Sequence, residues 1–338
     1  MKIFVRVDWN CPKNSYKKIK ETEDFLLRIK HHTVIIATHY SGSTKKLLQH
    51  TTLPITYHDN FFVSQINTPG LHLLPNLRDD KGEEENDTFF AQQLTADCDL
   101  YINNAWGSVH RQHASIDKAS HNLRAIMGPL IQAERAQCES FKQATFIVGG
   151  AKLDKLYTVL DLLKAGKKVV IAGALIVPIL QTKGLCMGAP NMKEVCEEIL
   201  EYDPILPIDY VVAPDHDKEG IIVHTHEIPH GYQIFDIGPE TIELIVHSVG
   251  DTVVWNGPVG YTPSTFYQRG TIELARRLHD TKVLVCGGDT TGFFEKFHWT
   301  KFTHSTTAGG AVLAMMTNKK MEWITNLQPF SPELVFGR

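Results

Sequence analysis

Cations and carboxylates set just after apolar runs are the residues of this chain that could do chemistry. In the back half, three glycine-rich turns follow β-branched runs: Gly149-Gly-Ala-Lys152, Cys286-Gly-Gly-Asp289 and Thr306-Thr-Ala-Gly-Gly310. Each stands where a strand should run into a helix. Backbone N–H groups freed at such a turn, backed by the helix dipole, suit phosphate. One such turn is weak evidence because glycine also serves ordinary turns. Three together make a nucleotide site the leading reading. Lys152 and Lys155 are expected where the first helical turn begins, on one face. The dipole disfavours cations there, so a bound anion is the simplest reason for the pair. The pattern is not a Walker A loop, since G-x-x-x-x-G-K-[ST] is absent. Asp289 is either a helix N-cap or, in a phosphate site, a carboxylate for Mg²⁺. Asn256, in Val254-Trp-Asn-Gly-Pro258, adds a donor near a fourth strand end.

The front half repeats the arrangement with different residues. Asp8 and Asn10, His39 to Gly42, Asn76 to Arg78, and His110, Arg111 and His113 each follow an apolar run. Each has a bland reading. Asp8 and Asn10 could hold a turn, His39 could be a satisfied core histidine, and Arg78 could form a surface ion pair of little value. Four such sets at one sheet edge, where open α/β sheets place ligands, describe a basic pocket for a small, multiply charged anion.

These residues need a scaffold of alternating strands and helices. Strands are expected at 3–7, 33–38, 71–74, 100–103, 145–148, 168–171, 210–213, 252–255 and 282–286. Several are apolar throughout, as parallel strands covered on both faces are. Helices are expected at 19–30, 87–96, 129–142, 155–164, 192–200, 239–249 and 270–278. The fold class is therefore α/β, and the strand count fits two mainly parallel, doubly wound sheets better than one. The expected domains are 1–130 and 144–317, joined by a connecting helix at 131–143. The tail, 318–338, could pack back on the first domain.

Composition narrows the partners. The chain has 34 basic and 38 acidic residues in 338, a net charge of −4, with no basic stripe that would argue for nucleic acid. No apolar run approaches the ~20 residues of a membrane helix, and the start reads as a strand, not a targeting segment. The six cysteines are scattered without metal-like spacing and are expected to be buried thiols. A cytoplasmic protein that binds small molecules is expected.

Taken together, the strings resemble the phosphoglycerate kinase family in order and spacing from about residue 3 to residue 316. They are Arg6-Val-Asp-Trp-Asn-Cys-Pro12, Leu74-Pro-Asn-Leu-Arg78, Asn103 to Ser115, Gly149 to Lys152, Asp236-Ile-Gly-Pro239, Val254 to Pro258 and Cys286 to Thr290. The resemblance implies two Rossmann-like domains joined by a helix hinge, and reversible phosphoryl transfer between 1,3-bisphosphoglycerate and ADP, giving 3-phosphoglycerate and ATP, by a monomer that closes about that hinge. It implies that Asp8, Asn10, His39, Arg78, His110 and Arg111 bind the phosphoglycerate. Lys152, Lys18, Gly309 and Gly310 would serve the transferring group. Gly149, Gly150, Lys155, Asn256, Gly287, Gly288, Thr290 and Thr307 would bind the nucleotide, with Asp289 on Mg²⁺.

The chain departs from the family pattern at several of these places. Lys18 stands for an arginine, Gly42 for a second arginine and Asn104 for an aspartate. Pro263 stands for the glutamate expected at the ribose, and Lys152 and Lys155 are three apart where the family has four. Two alternatives stay open: a catalytically impaired relative that binds nucleotide or a partner, and a kinase for a related acyl phosphate.

Overall fold

The computed structural model describes residues 1–11, 16–185, 192–299, 302–317 and 321–336. The chain divides into two compact units, Met1–Ala136 with Lys320–Arg338, and Gln137–Lys319.

The first unit carries β1 (Lys2–Val7), β2 (Thr33–Ala37), β3 (Ile55–Tyr57), β4 (Gly70–Leu73), β5 (Leu100–Asn104) and β6 (Ala125–Met127). They form one sheet in the order β3-β4-β2-β1-β5-β6, and every pairing is parallel. All six residues of the central β1 are buried, which is why its run shows no alternation. Helices α1 (Lys17–Ile29), α2 (Lys81–Glu84), α3 (Thr88–Leu94) and α4 (Lys118–Asn122) lie among the strands. Of these, α1 buries Ile19, Thr22, Phe25, Leu26 and Ile29, the stripe a helical period turns to a core. Each large aliphatic among them is worth about 1.5–3 kcal/mol.

The division between units falls inside α5 (Pro129–Glu139). The second unit holds β7 (Thr145–Val148), α6 (Lys155–Lys164), β8 (Val169–Ile171), α7 (Ile176–Thr182), α8 (Lys193–Leu200) and β9 (Asp209–Ala213). It continues through β10 (Ile221–His224), β11 (Gln233–Ile237), α9 (Pro239–Ser248), β12 (Thr252–Asn256) and α10 (Arg269–Arg277) to β13 (Lys282–Cys286). It ends with α11 (Gly288–Lys296), β14 (His304–Thr306) and α12 (Gly309–Met316). A parallel sheet runs β14-β13-β12-β7-β8, and a small antiparallel sheet runs β10-β9-β11. Its core gathers Ile147, Trp255, Leu274, Val285 and Phe294.

Two short helices, α13 (Glu322–Thr325) and α14 (Pro332–Phe336), finish the chain. The tail belongs to the first unit. Gln328 continues that sheet beyond β6, donating to Ala125 O and accepting from Met127 N, each at 2.9 Å. Trp323 Nε1 donates to Val109 O at 2.7 Å, and Val335 is fully buried.

All nine expected strands are present, with ends shifted by a residue or two. The five that were not expected, β3, β6, β10, β11 and β14, are short or carry polar residues. Cys11, Cys98, Cys138, Cys196 and Cys286 are buried thiols outside any disulfide, with burial pushing Cys11 and Cys98 up to about 11 and about 12. Cys186 and Pro12 lie outside the described residues. Among the described residues, no helix is long and apolar enough to cross a membrane.

Candidate active site

In the first unit the strand-end residues do gather, because β4, β2, β1 and β5 are neighbours and parallel. Asp8, just past β1, is nearly buried and pairs with Lys18 Nζ at 2.7 Å. Lys18 reaches from the second position of α1 and also donates to Asn10 O at 3.4 Å. Gly107 passes directly over this pair, and a Cβ there would run into Asp8 Oδ2. The Asn10 side chain is exposed. Gly42, at φ +137, has open space around the place a Cβ would take. Lys45 turns toward Tyr57, 5.7 Å from its ring centre.

His39 is only 2% exposed, and its Nε2 lies 2.6 Å from Glu83 Oε1. Burial, the Arg6 charge and the Arg78 charge hold it down to about 3, against the pull of Glu83. It is a neutral imidazole, buried under the face on which a direct ligand was expected. Arg78 sits in a short turn capped by the Asn76 side chain and pairs with Glu84 at 2.9 Å, both partly exposed. This is the bland ion pair, worth about 0–1 kcal/mol and easily exchanged for a substrate anion. Arg111 is exposed. His110 is half-buried, and its Nδ1 has no hydrogen-bond partner among the described residues. Burial and Arg111 take it to about 4, so it too is neutral at ordinary pH.

Sequence reasoning missed Arg6, Glu83 and Ser115. Arg6 is fully buried, and its Nε donates to Ser115 Oγ at 2.9 Å. Ser115 in turn donates from Oγ and from N to Glu83, at 2.6 and 2.9 Å. A signal was there: an arginine inside the run Ile3-Phe-Val-Arg-Val7 must be paired if that run is a central strand. His39, Glu83 and His113 bring ligand atoms within 4.8 Å of one another, a spacing that would admit a metal ion. The Ser115 donors already occupy the carboxylate, and the buried Arg6 cation stands behind Ser115, so the cluster reads as an internal charge network.

In the second unit the glycine turns line up at the ends of β14, β13, β12 and β7, four neighbours in one parallel sheet. Gly150 donates to Pro258 O at 2.8 Å with φ +90. Gly257, after β12, has φ +96, and a Cβ there would strike Gly149 O. The backbones touch, which only glycine allows. Two of the three turns run straight into helices, α11 and α12. The third does not, for α6 starts only at Lys155, so Lys152 lies outside the helix and the shared-face argument fails. Lys152 is exposed. Lys155 turns inward and donates to Gly149 O at 2.8 Å, with burial pushing its pKa down.

A cleft of about 1110 Å³ opens beside these turns, lined by Gly150, Gly288 and Asp289 among the expected residues. Its apolar wall includes Ile176, Pro178 and Phe293, suited to a flat ring. Asp289 is exposed in the first turn of α11, where Gly287 is the N-cap, so the capping reading is excluded. It has no hydrogen-bond or ion-pair partner among the described residues.

The remaining expected residues stand outside the lining. Thr290 is 1% exposed, and its hydroxyl accepts from Gly257 N at 2.7 Å. Asn256 is buried and donates to Cys286 O at 3.0 Å, leaving Oδ1 without a partner among the described residues. Gly309 packs on Asn256 and Gly287, while Thr307 and Gly310 are exposed beside it. Gly149 and Gly287 form the turns themselves. Pro263 does line the cleft and offers no acceptor to a ribose. Asp236, in the motif Asp236-Ile-Gly-Pro239, also stands in the wall. Burial pushes it up to about 7, opposed by hydrogen bonds from Gly270 N and Ile237 N.

Comparison with known proteins places these features. The family model described as phosphoglycerate kinase matches residues 1–319. The phosphoglycerate kinase of Microcystis aeruginosa is 32% identical over 292 residues, covering 78% of this chain and 73% of that protein. That of Moorella thermoacetica is 33% identical over 278 residues, covering 75% and 71%. Among solved structures, phosphoglycerate kinase from Coxiella burnetii matches in fold with a TM-score of 0.76 at 24% identity, covering 97% of this chain and 96% of that one. The enzyme from Pyrococcus horikoshii gives the same TM-score and coverage at 22% identity.

Proposed function

The chain belongs to the phosphoglycerate kinase family and carries phosphoglycerate kinase function, and from that premise we propose how its own residues divide the reaction. The observation that carries the reading is the row of glycine turns beside an apolar cleft with Asp289 at its edge. Glycine amides and helix N-termini would take the phosphates of ATP or ADP, and the apolar wall would take the base.

The proposed reaction moves a phosphoryl group between an acyl phosphate and ADP. The attacking oxygen is ionised in either direction, so no general base is needed, and catalysis rests on positioning and charge neutralisation. Exposed Lys152 is assigned to the transferring phosphoryl group. Lys155, held by Gly149 O, fixes the turn more than it meets the nucleotide. In the first unit, Lys18, Asn10, Arg78, His110 and Arg111 are assigned to 3-phosphoglycerate, with Asp8 holding Lys18. Turnover then requires the two ligands to meet with water excluded, since an acyl phosphate hydrolyses readily.

The donor set fits a magnesium ion. Mg²⁺ is usually held by one or two carboxylates plus substrate phosphates, and Asp289 is one uncommitted carboxylate at the phosphate end of the cleft. When bound there, the ion would neutralise phosphate charge.

A coupled assay with 3-phosphoglycerate, ATP and Mg²⁺ tests the proposal. Turnover that disappears in Lys152→Ala is expected. ADP binding by calorimetry with no turnover would leave a nucleotide-binding relative, and turnover with another phosphorylated acid alone would reassign the substrate.

A further inference from the structure

The segments that follow β1, β2, β4 and β5 meet around one buried carboxylate, which lies in the third, bonds to the second and fourth, and reaches the first through a serine. Glu83 lies in α2, in the segment that follows β4 and carries Arg78, and is 0% exposed. Its Oε1 meets His39 Nε2 at the end of β2 and accepts from Ser115 Oγ in the segment after β5, each at 2.6 Å. Its Oε2 accepts from Ser115 N at 2.9 Å, and its main-chain oxygen accepts from Ala114 N at 2.9 Å. Through Ser115 Oγ the same carboxylate is linked to Arg6 in β1, two residues before Asp8. Glu83 is the foremost charge offsetting the buried Arg6 cation, ahead of Asp8, while Arg6 itself bonds Ser115 through Nε and Val7 O through NH1. Ser115 N and Oγ both donate to the Glu83 side chain, and a carboxylate anion, which only accepts, pairs with His39 through an Nε2 proton.

We propose that Glu83 is a positioning residue for phosphoglycerate binding. As an anion it locks His39 in the Nε2–H tautomer, offsets Arg6 and holds the four loops in register. It touches no substrate itself. This rests on the assignment of the first unit to phosphoglycerate.

The test begins with the unmodified protein. Nitrogen-15 NMR of His39 should show an Nε2–H, neutral imidazole that does not titrate between about pH 5 and pH 8. In Glu83→Gln the volume is kept, but the amide can donate to His39 Nε2, so the tautomer should move toward Nδ1–H. Losing charge-assisted bonds of this kind should raise the KM for 3-phosphoglycerate about tenfold to a hundredfold. The KM for ATP should stay within about twofold. If Glu83→Gln does not fold, Ser115→Ala, which cuts the link to Arg6 and to one loop, should raise the same KM alone.

An Nδ1–H or titrating His39 in the unmodified protein overturns the idea. So does a Glu83→Gln or Ser115→Ala protein whose two KM values rise together, or not at all. If the first unit binds some other acid, the NMR result stands while 3-phosphoglycerate fails to perturb the loop signals, which separates the two failures.

Discussion

Four glycines of the second unit form a factorial test of why the glycine turns need glycine. Gly250 has no positive φ and open space. Gly166 has φ +71 but open space. Gly149 has no positive φ, but a Cβ there would run into Pro258 O. Gly257 has both problems, with φ +96, Gly149 O in the way and Lys155 Nζ at 2.8 Å from the added carbon.

Alanine at Gly250 should be neutral or stabilising by about 0.4–1 kcal/mol through the unfolded chain. Alanine at Gly166 should cost about 1–2 kcal/mol for a left-handed backbone. At Gly149, overpacking should cost about 1–3 kcal/mol. At Gly257 the two penalties combine, and the Lys155–Gly149 hydrogen bond, worth about 1.5–3 kcal/mol when charge-assisted, is also disturbed. A loss on the order of 3–6 kcal/mol follows. Urea denaturation reads the series through the midpoint at constant slope. The KM for ATP should rise for Gly149→Ala and Gly257→Ala and stay put for the other two. If Gly257→Ala costs no more than Gly166→Ala, the close approach of the two turns is not what excludes a side chain.

Three further outcomes are expected. Asp289→Asn should weaken Mg²⁺ dependence by at least about tenfold, read by titrating the ion at fixed ATP. Lys18→Ala strips Asp8 of its cation and should raise the KM for 3-phosphoglycerate about tenfold or more, whereas Lys18→Arg keeps the charge, adds a planar fork and should retain activity. Asp236 has a folded pKa raised from 3.8 to about 7, so its contribution to stability is full below about pH 4 and is lost as pH rises through about 7, by up to about 4 kcal/mol. Denaturant midpoints of the unmodified protein should therefore fall relative to those of Asp236→Asn between about pH 4 and pH 7; parallel curves would refute it.

Much of this architecture could be read from residues because its signals are local. A run such as Ile3 to Val7 buried on both faces, or a turn of paired glycines after Val148 or Cys286, is written in adjacent positions. What escaped depends on distance in sequence. Glu83 looks like one of three surface glutamates until folding brings it to His39 and Ser115, 44 and 32 residues away. Thr290 and Lys155 carried the right types for phosphate, yet their polar atoms are spent on Gly257 N and Gly149 O, partners that no spacing rule reveals. The antiparallel strands β10 and β11 were missed because β10 is largely exposed and β11 is irregular at Ile234 and Asp236. The small sheet they form with β9 therefore lacks the long apolar runs that mark a parallel one.

The pairing of Gln328 with β6 has a consequence for biosynthesis. A ribosome releases the chain from the amino end, so residues 1–136 emerge long before the stretch that completes their sheet. Until residue 328 arrives, β6 has a bare edge and the site of Val335 in the first core stands open, while the second unit already has every strand it needs. The unit made first is thus the one finished last, and released chains truncated after residue 317 should present a protease-resistant second unit and a nicked first one.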